Sequence, residues 1–258
     1  MKFQLLPSTI DENGQASARQ HLACFVVDDR IAFDAGSLAM SCSEGQRASL
    51  RDIVLTHAHL DHIAGLPLFI DDLYSTLTEP VRVHATEEVI DVLERDIFNW
   101  SVYPRFSELK NSHGPVMIYK PFKLGVDFPV GHLQVKAAPV NHQVPAAGFL
   151  ITDMETTVAM SGDTSEMEEF WNMVNARGSL SALLIECAFP NELQDLADLS
   201  HHLTPGALAV ELEKFEKTDC PIFIVNIKPS YRDTVVAQIN ELRLKNVNVM
   251  RIGQVYDW

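Results

Sequence analysis

A chain of 258 residues, 47% hydrophobic and 21% charged, has enough apolar material for a real core, and no apolar run in it approaches the ~20 residues of a membrane span. The formal net charge of −15 disfavours non-specific binding to nucleic acid, but a local metal site could still take a small phosphate. The N-terminal "MKFQLLPSTIDENG" has one lysine and only a very short apolar run, unlike a signal peptide, so we expect a cytoplasmic protein.

Strands open the chain: "KFQLL", then "CFVVDD" and "RIAFDAG", with Asp28 and Asp29 as the turn between the last two. "DIVLTHA" is a β-branched run that ends in the polar motif "THAHLDH", residues 56–62. "DHIAGLPLFIDDLYSTL" mixes helical spacing with Gly65 and Pro67, which predicts a helix with an irregular first turn. "VRVHA" predicts a strand and "TEEVIDVLERDIF" a helix, with Thr86 as N-cap and acids in the first turn. Residues 97–115 are aromatic, fit neither period, and are expected to form an insertion or lid.

Strands dominate residues 116–160. In "SGDTSEMEEFWNMVNARG" a loop passes into a helix, with Ser165 and Glu168 as a capping box and Gly178 as the stop. "LSALLIECAF" and "PIFIVNI" predict strands. "TPGALAVELEKFEK" predicts a helix capped by Thr204 with Pro205 in its first position, and "YRDTVVAQINELRLKN" another. "VNVMRIG" closes the chain as a strand. Cys24, Cys42, Cys187 and Cys220 form no CxxC pair and are expected as free thiols, mostly buried. No linker divides the chain, so we expect one domain over 1–258, with two sheets and helices outside them.

Side chains at i and i+2 of an extended segment point the same way, so His57 and His59 can reach one metal ion together. Asp61 and His62 lie past the bend and can face a second point. Imidazole nitrogen with carboxylate oxygen suits Zn, and also Fe or Mn. His142, after the alternating "LQVKAAPV", and Asp163, in "AMSGDTS", extend the set. Either alone could be an ordinary loop residue; the ordered set His-His-Asp-His, His, Asp is far more specific.

That order resembles the metallo-β-lactamase superfamily. The resemblance implies an αββα sandwich carrying a dinuclear metal site. "HAHLDHIAGLP", "IFNWSVYPRF", "SGDTS", "IECAFPNELQDLADLSHHLTP" and "IKPSYR" narrow it further, since together they look like class II 3′,5′-cyclic-nucleotide phosphodiesterases. "HLTP" is similar, more distantly, to a loop of the tRNA 3′-processing ribonuclease Z group. The resemblance implies that His57, His59 and His142 hold one ion, Asp61 and His62 the other, and that Asp163 bridges them. His202 would be the proton donor, oriented by Glu186. Asp61 would also count among the catalytic residues.

The sequence departs from that pattern at Asn226, where the superfamily places a last metal-ligand histidine. An amide oxygen binds metals more weakly than imidazole, which implies a weaker second site. Lys228, Ser230 and Arg232 could meet substrate phosphate, and Trp100, Tyr103 and Phe106 could stack on a base. The expected activity is two-metal hydrolysis of a cyclic nucleotide or other small phosphodiester, in which a metal-bound hydroxide attacks phosphorus and His202 protonates the leaving oxygen. The competing readings are a ribonuclease Z-like enzyme, a lactonase, and a degenerate metal-binding protein without activity. Neither a membrane nor a large nucleic acid is an expected partner. Dimers are common among such relatives, which admits a homodimer.

Overall fold

The computed structural model describes all 258 residues. They form two compact units: Met1–Lys123 with Ile252–Asp257, and Leu124–Arg251 with Trp258.

The first unit contains β1 (Lys2–Leu5), β2 (Phe25–Val27), β3 (Ile31–Phe33), β4 (Asp52–Val54), β5 (Val81–Ala85), a small hairpin of β6 (Lys110–Asn111) and β7 (Gly114–Pro115), and β8 (Met117–Pro121). Asp28 and Asp29 both have positive φ, 49° and 58°, as a tight hairpin turn requires. They set the antiparallel register Val27↔Ile31 and Phe25↔Phe33. From β3 onward the pairing β3–β4–β5–β8 is parallel, so each connection must cross back over the sheet. The crossovers carry α1 (Leu38–Ser41) and α2 (Glu44–Ser49), then α3 (Leu60–Ile63) and α4 (Gly65–Leu73), then α5 (Glu87–Val92). The expected irregular helix start is the break at Ala64 between α3 and α4. Thr86 stands at the N-cap of α5 without a side-chain cap bond. Beyond α5, a π-helical turn at Leu93–Ile97 leads to a 3₁₀ turn at Phe106–Glu108. Phe98 and Phe106 pack edge to face in the core of this unit.

Asp52 on β4 is gripped from β5. Arg82 donates to both of its oxygens at 2.7 Å, and His84 Nε2 lies 2.8 Å from Oδ1. Burial pushes the Asp52 carboxyl up, but the bonds from Arg82 and His84 outweigh it and hold the group at about 2. A depressed carboxylate stabilises the fold above its unfolded pKa of about 4 and stops doing so as pH falls through its folded value. Asp52→Asn is therefore expected to cost on the order of 2 kcal/mol at pH 7, an upper figure because Arg82 keeps some contact with water. Denaturant unfolding at pH 7 and at pH 2 should show the gap between variant and wild type closing with acid.

The second unit contains β9 (Asp127–Val130), β10 (Leu133–Pro139), β11 (Ala147–Thr152) and β12 (Thr157–Met160), followed by β13 (Ala182–Glu186), β14 (Ile222–Val225) and β15 (Val247–Val249). β9 to β12 form an antiparallel meander, and β12 to β15 are parallel. "ALLIE" and "IFIV" are buried at every residue, which is why they read as continuous apolar runs rather than alternating ones. The helices are α6 (Glu169–Asn175), α7 (Gln194–Ser200), α8 (Pro205–Leu212) and α9 (Arg232–Glu241). Thr204 caps α8 as expected, accepting from Ala207 N at 3.3 Å, with Pro205 in the first turn. The capping box at Ser165 does not form. The helix begins only at Glu169, and Ser165 Oγ donates to Asn141 O instead. The buried Glu211 ties α8 to α6 by accepting from Met167 N and Trp171 Nε1.

"VNVMRIG" is not the last strand. The chain continues to β16 (Val255–Asp257), which pairs antiparallel with β1. The first sheet thus runs β16-β1-β2-β3-β4-β5-β8 and the second β15-β14-β13-β12-β11-β10-β9, seven strands each. All four cysteines are free thiols, with Cys24, Cys187 and Cys220 buried. No helix is long and apolar enough to cross a membrane.

Candidate metal centre

In each unit several of the candidate residues lie just past the ends of parallel strands, the edge at which such sheets bind ligands. In the first unit Asp34 directly follows β3, and Thr56 lies two residues past the end of β4. Asp34 is buried, and its backbone takes the left-handed conformation (φ 59°). Its carboxylate accepts from Thr56 N at 2.8 Å, from Thr56 Oγ1 at 2.9 Å and from His62 Nδ1 at 2.6 Å. With the Thr56 hydroxyl donating to Asp34, the oxygen of Thr56 can accept from His57 Nδ1, 2.9 Å away. His59 follows in extended conformation at the N-cap of α3, and Asp61 and His62 lie in the first turn of that helix. The His57 ring lies 4.7 Å from that of His59 and 4.2 Å from that of His62, centroid to centroid. The extended i, i+2 spacing thus gathers His57 and His59 as the motif implied.

Gly36 makes this packing possible. A Cβ there would sit 1.9 Å from Asp61 O. With hydrogen alone, Ala23 N and Ala35 N can reach Asp61 O and His62 O at 2.9 and 2.7 Å.

In the second unit His142 follows β10, Asp163 follows β12, Glu186 ends β13, His202 follows α7 and Asn226 follows β14. His142, Asp163 and His202 offer ligand atoms within 4.8 Å of one another. His202 Nδ1 donates to Glu186 Oε1 at 2.7 Å, and the same carboxylate accepts from Thr164 N at 2.8 Å and Leu203 N at 3.4 Å. Burial pushes the Glu186 carboxyl up. Burial alone would lower His202, but the Glu186 carboxylate outweighs it and raises the imidazole above its ordinary value. His142 Nδ1 donates to His201 O at 3.1 Å. Asn226, at φ 55°, donates its amide to Asp163 Oδ1 at 2.5 Å.

A common device runs through both clusters. His57, His62, His142 and His202 each have Nδ1 engaged by an oxygen of the protein. That fixes the tautomer and makes Nε2 the atom presented for a ligand or proton. Borderline imidazole nitrogens with hard carboxylates at this spacing fit a divalent transition ion. These His/Asp clusters are consistent with a metallo-hydrolase active site.

The candidate substrate residues fare unequally. Lys228 is half-buried and close enough to His202 to act on its charge. Ser230 is exposed and Arg232 opens α9. Trp100 is 57% exposed, in a left-handed turn, while the Tyr103 hydroxyl donates to Asp71. Phe106 cannot stack on a substrate base: it is 1% exposed, held in the core against Phe98 and Tyr103. An aromatic run without clear periodicity concealed which of its rings faced inward. Asp34, Thr56 and Asn141 join these networks without a motif to mark them, and His201, the sequence's alternative to His202 as proton donor, instead accepts from His142 Nδ1 through its carbonyl. An acid just past a strand end, in "FDAG", was the one local signal for Asp34.

The sequence pattern described as the Beta-lactamase superfamily domain matches residues 30–217. The chain belongs to the metallo-β-lactamase superfamily, with the αββα sandwich fold of that class. Its relatives include a probable 3′,5′-cyclic-nucleotide phosphodiesterase of Yersinia pestis, 27% identical over 210 residues, and a 3′,5′-cyclic-nucleotide phosphodiesterase of Aliivibrio fischeri, 30% identical over 205 residues. The alignments cover 72% and 73% of this chain but 59% and 58% of those proteins, less than two thirds of either. The crystal structure of unliganded yeast PDE1 shares the fold over 98% of both chains, with a TM-score of 0.80 at 16% identity.

Proposed function

We propose that the protein is a dinuclear metal-dependent phosphodiesterase acting on a cyclic nucleotide or another small phosphodiester. His57, His59 and His142 would hold one divalent ion, Asp61 and His62 the other, with Asp163 shared and Asn226 beside it. When bound, such ions neutralise phosphoryl oxygens and lower the pKa of water, whichever of Zn, Mn or Fe is used.

The chain's own residues do the rest. Asp34 and Thr56 keep the His57 and His62 rings turned so that Nε2 is the ligand atom. His202, held by Glu186 whose carboxylate favours the charged ring, gives its Nε2 proton to the departing alkoxide. Lys228 is suited to meet the anionic phosphoryl group.

The observation that carries the reading is the buried His202–Glu186 pair, at 2.7 Å, in the same cluster as Asp163 and His142. The net charge of −15 speaks against a large RNA as substrate.

Cyclic AMP, bis(p-nitrophenyl) phosphate and a lactone should be assayed side by side after loading with Zn or Mn. Hydrolysis of the two phosphodiesters, abolished by a chelator, is the expected result. Lactone opening without phosphodiester hydrolysis would overturn it. Metal analysis of the Asn226→His variant is expected to show a higher content of the second ion than wild type, and equal content would remove Asn226 from the site.

A further inference from the structure

We propose that His201 is a positioning residue: its left-handed backbone and its ring together fix the imidazole of His142 in the tautomer that binds a divalent ion. This inference rests on the metal reading above.

His201 ends α7 at φ 53° and ψ 60°. That conformation favours glycine, and among other residues asparagine, because a Cβ crowds the following carbonyl. Histidine enters that conformation less readily than glycine, so stopping the helix does not by itself account for the residue. The turn at His201 places its carbonyl where it accepts from His142 Nδ1, at 3.1 Å. Its own Nδ1 donates to Asn141 Oδ1 at 2.9 Å.

Asn141 is itself anchored. Its N–H donates to Thr164 Oγ1 at 3.2 Å, and its carbonyl accepts from Ser165 N at 2.8 Å. Gln143 Nε2 donates to Leu199 O, so residues 141–143 are tied to 199–201 at three points. The ring of His201 is only partly buried and is held by its bond to Asn141. His202 leaves the same turn. One residue in the left-handed conformation thus sets the orientation of the ligand His142, while Glu186 holds the neighbouring His202.

Three variants separate positioning from helix capping. His201→Gly relaxes the backbone and loses the ring. His201→Asn tolerates the left-handed turn and keeps an N–H donor for Asn141. His201→Ala loses the ring and retains the strain. In the metal-free protein, long-range proton–nitrogen spectra are expected to show His142 protonated at Nδ1 in wild type and His201→Asn, and mixed between its two nitrogens in His201→Gly. Competition with a chelator is expected to show Zn(II) bound about 10–100-fold more weakly by His201→Gly and His201→Ala, with most of the affinity restored in His201→Asn. Thermal unfolding should find the glycine variant at least as stable as wild type, separating loss of affinity from loss of fold. A glycine variant with wild-type Zn(II) affinity and an unchanged His142 tautomer would overturn the proposal alone. A wild-type protein that binds no Zn(II) would overturn the metal reading, and this inference with it.

Discussion

Asp34→Ala is expected to destabilise the protein by about 3–5 kcal/mol, although Asp34 is not among the metal ligands inferred here. Its carboxylate is 1% exposed and accepts from the Thr56 amide, the Thr56 hydroxyl and His62 Nδ1. Alanine would leave these donors buried beside a space too dry to satisfy them, and each abandoned donor costs about 1–3 kcal/mol. The His62 ring would then be free to turn, and through Thr56 the His57 ring as well. Metal affinity should therefore fall about 10–100-fold in addition. Asp34→Asn keeps the volume but brings an NH₂ against N–H and O–H donors, so it should recover only part of the loss. Urea unfolding of the metal-free proteins measures the first effect, and chelator competition the second. A destabilisation under about 1 kcal/mol would mean that the network does not hold the histidines.

His202→Ala should slow hydrolysis of a cyclic nucleotide by about 10²–10⁴-fold, while a p-nitrophenyl diester should lose no more than about 10-fold. The nucleotide leaves as a basic alkoxide that needs a proton, whereas p-nitrophenolate departs without one. Equal losses on the two substrates would remove His202 from the role of proton donor. The pH profile carries the second half of the test. The Glu186 carboxylate raises His202 above its ordinary value against the effect of burial, and the reaction needs the protonated ring. Wild-type activity should therefore decline as pH rises through that raised value. In Glu186→Gln the larger of the two carboxylate influences on the ring is lost and only Asp163 still opposes burial, so the decline should move to lower pH.

The strands of the parallel halves were legible because covered strands are apolar throughout, as in "ALLIE" and "IFIV". The Asp28-Asp29 turn and the Thr204-Pro205 helix start were legible because their chemistry is local. α7 was not: it is seven residues long, acidic, and exposes Leu196 and Leu199, so no apolar stripe marks it. β16 depends on a partner at the other end of the chain. The site divides in the same way. His57, His59, Asp61 and His62 share one turn of sequence, and their spacing announces them. Asp34 acts on residues 22 and 28 positions away, across neighbouring parallel strands. Nothing in the sequence indicates that adjacency until β3 and β4 are paired. Likewise, the left-handed turn at His201 is set by what surrounds it rather than by any preference of histidine.

The protein oxygens on Nδ1 of His57, His62, His142 and His202 bear on how the ions come and go. These rings are immobilised by the polypeptide, so an arriving ion need not supply the ordering entropy that a loose set of side chains would demand. The protein should accordingly behave unlike a zinc finger, whose metal organises its fold. A chelator should strip the ions and leave the chain folded, and refilling should proceed at the pace of ligand exchange, without waiting on refolding.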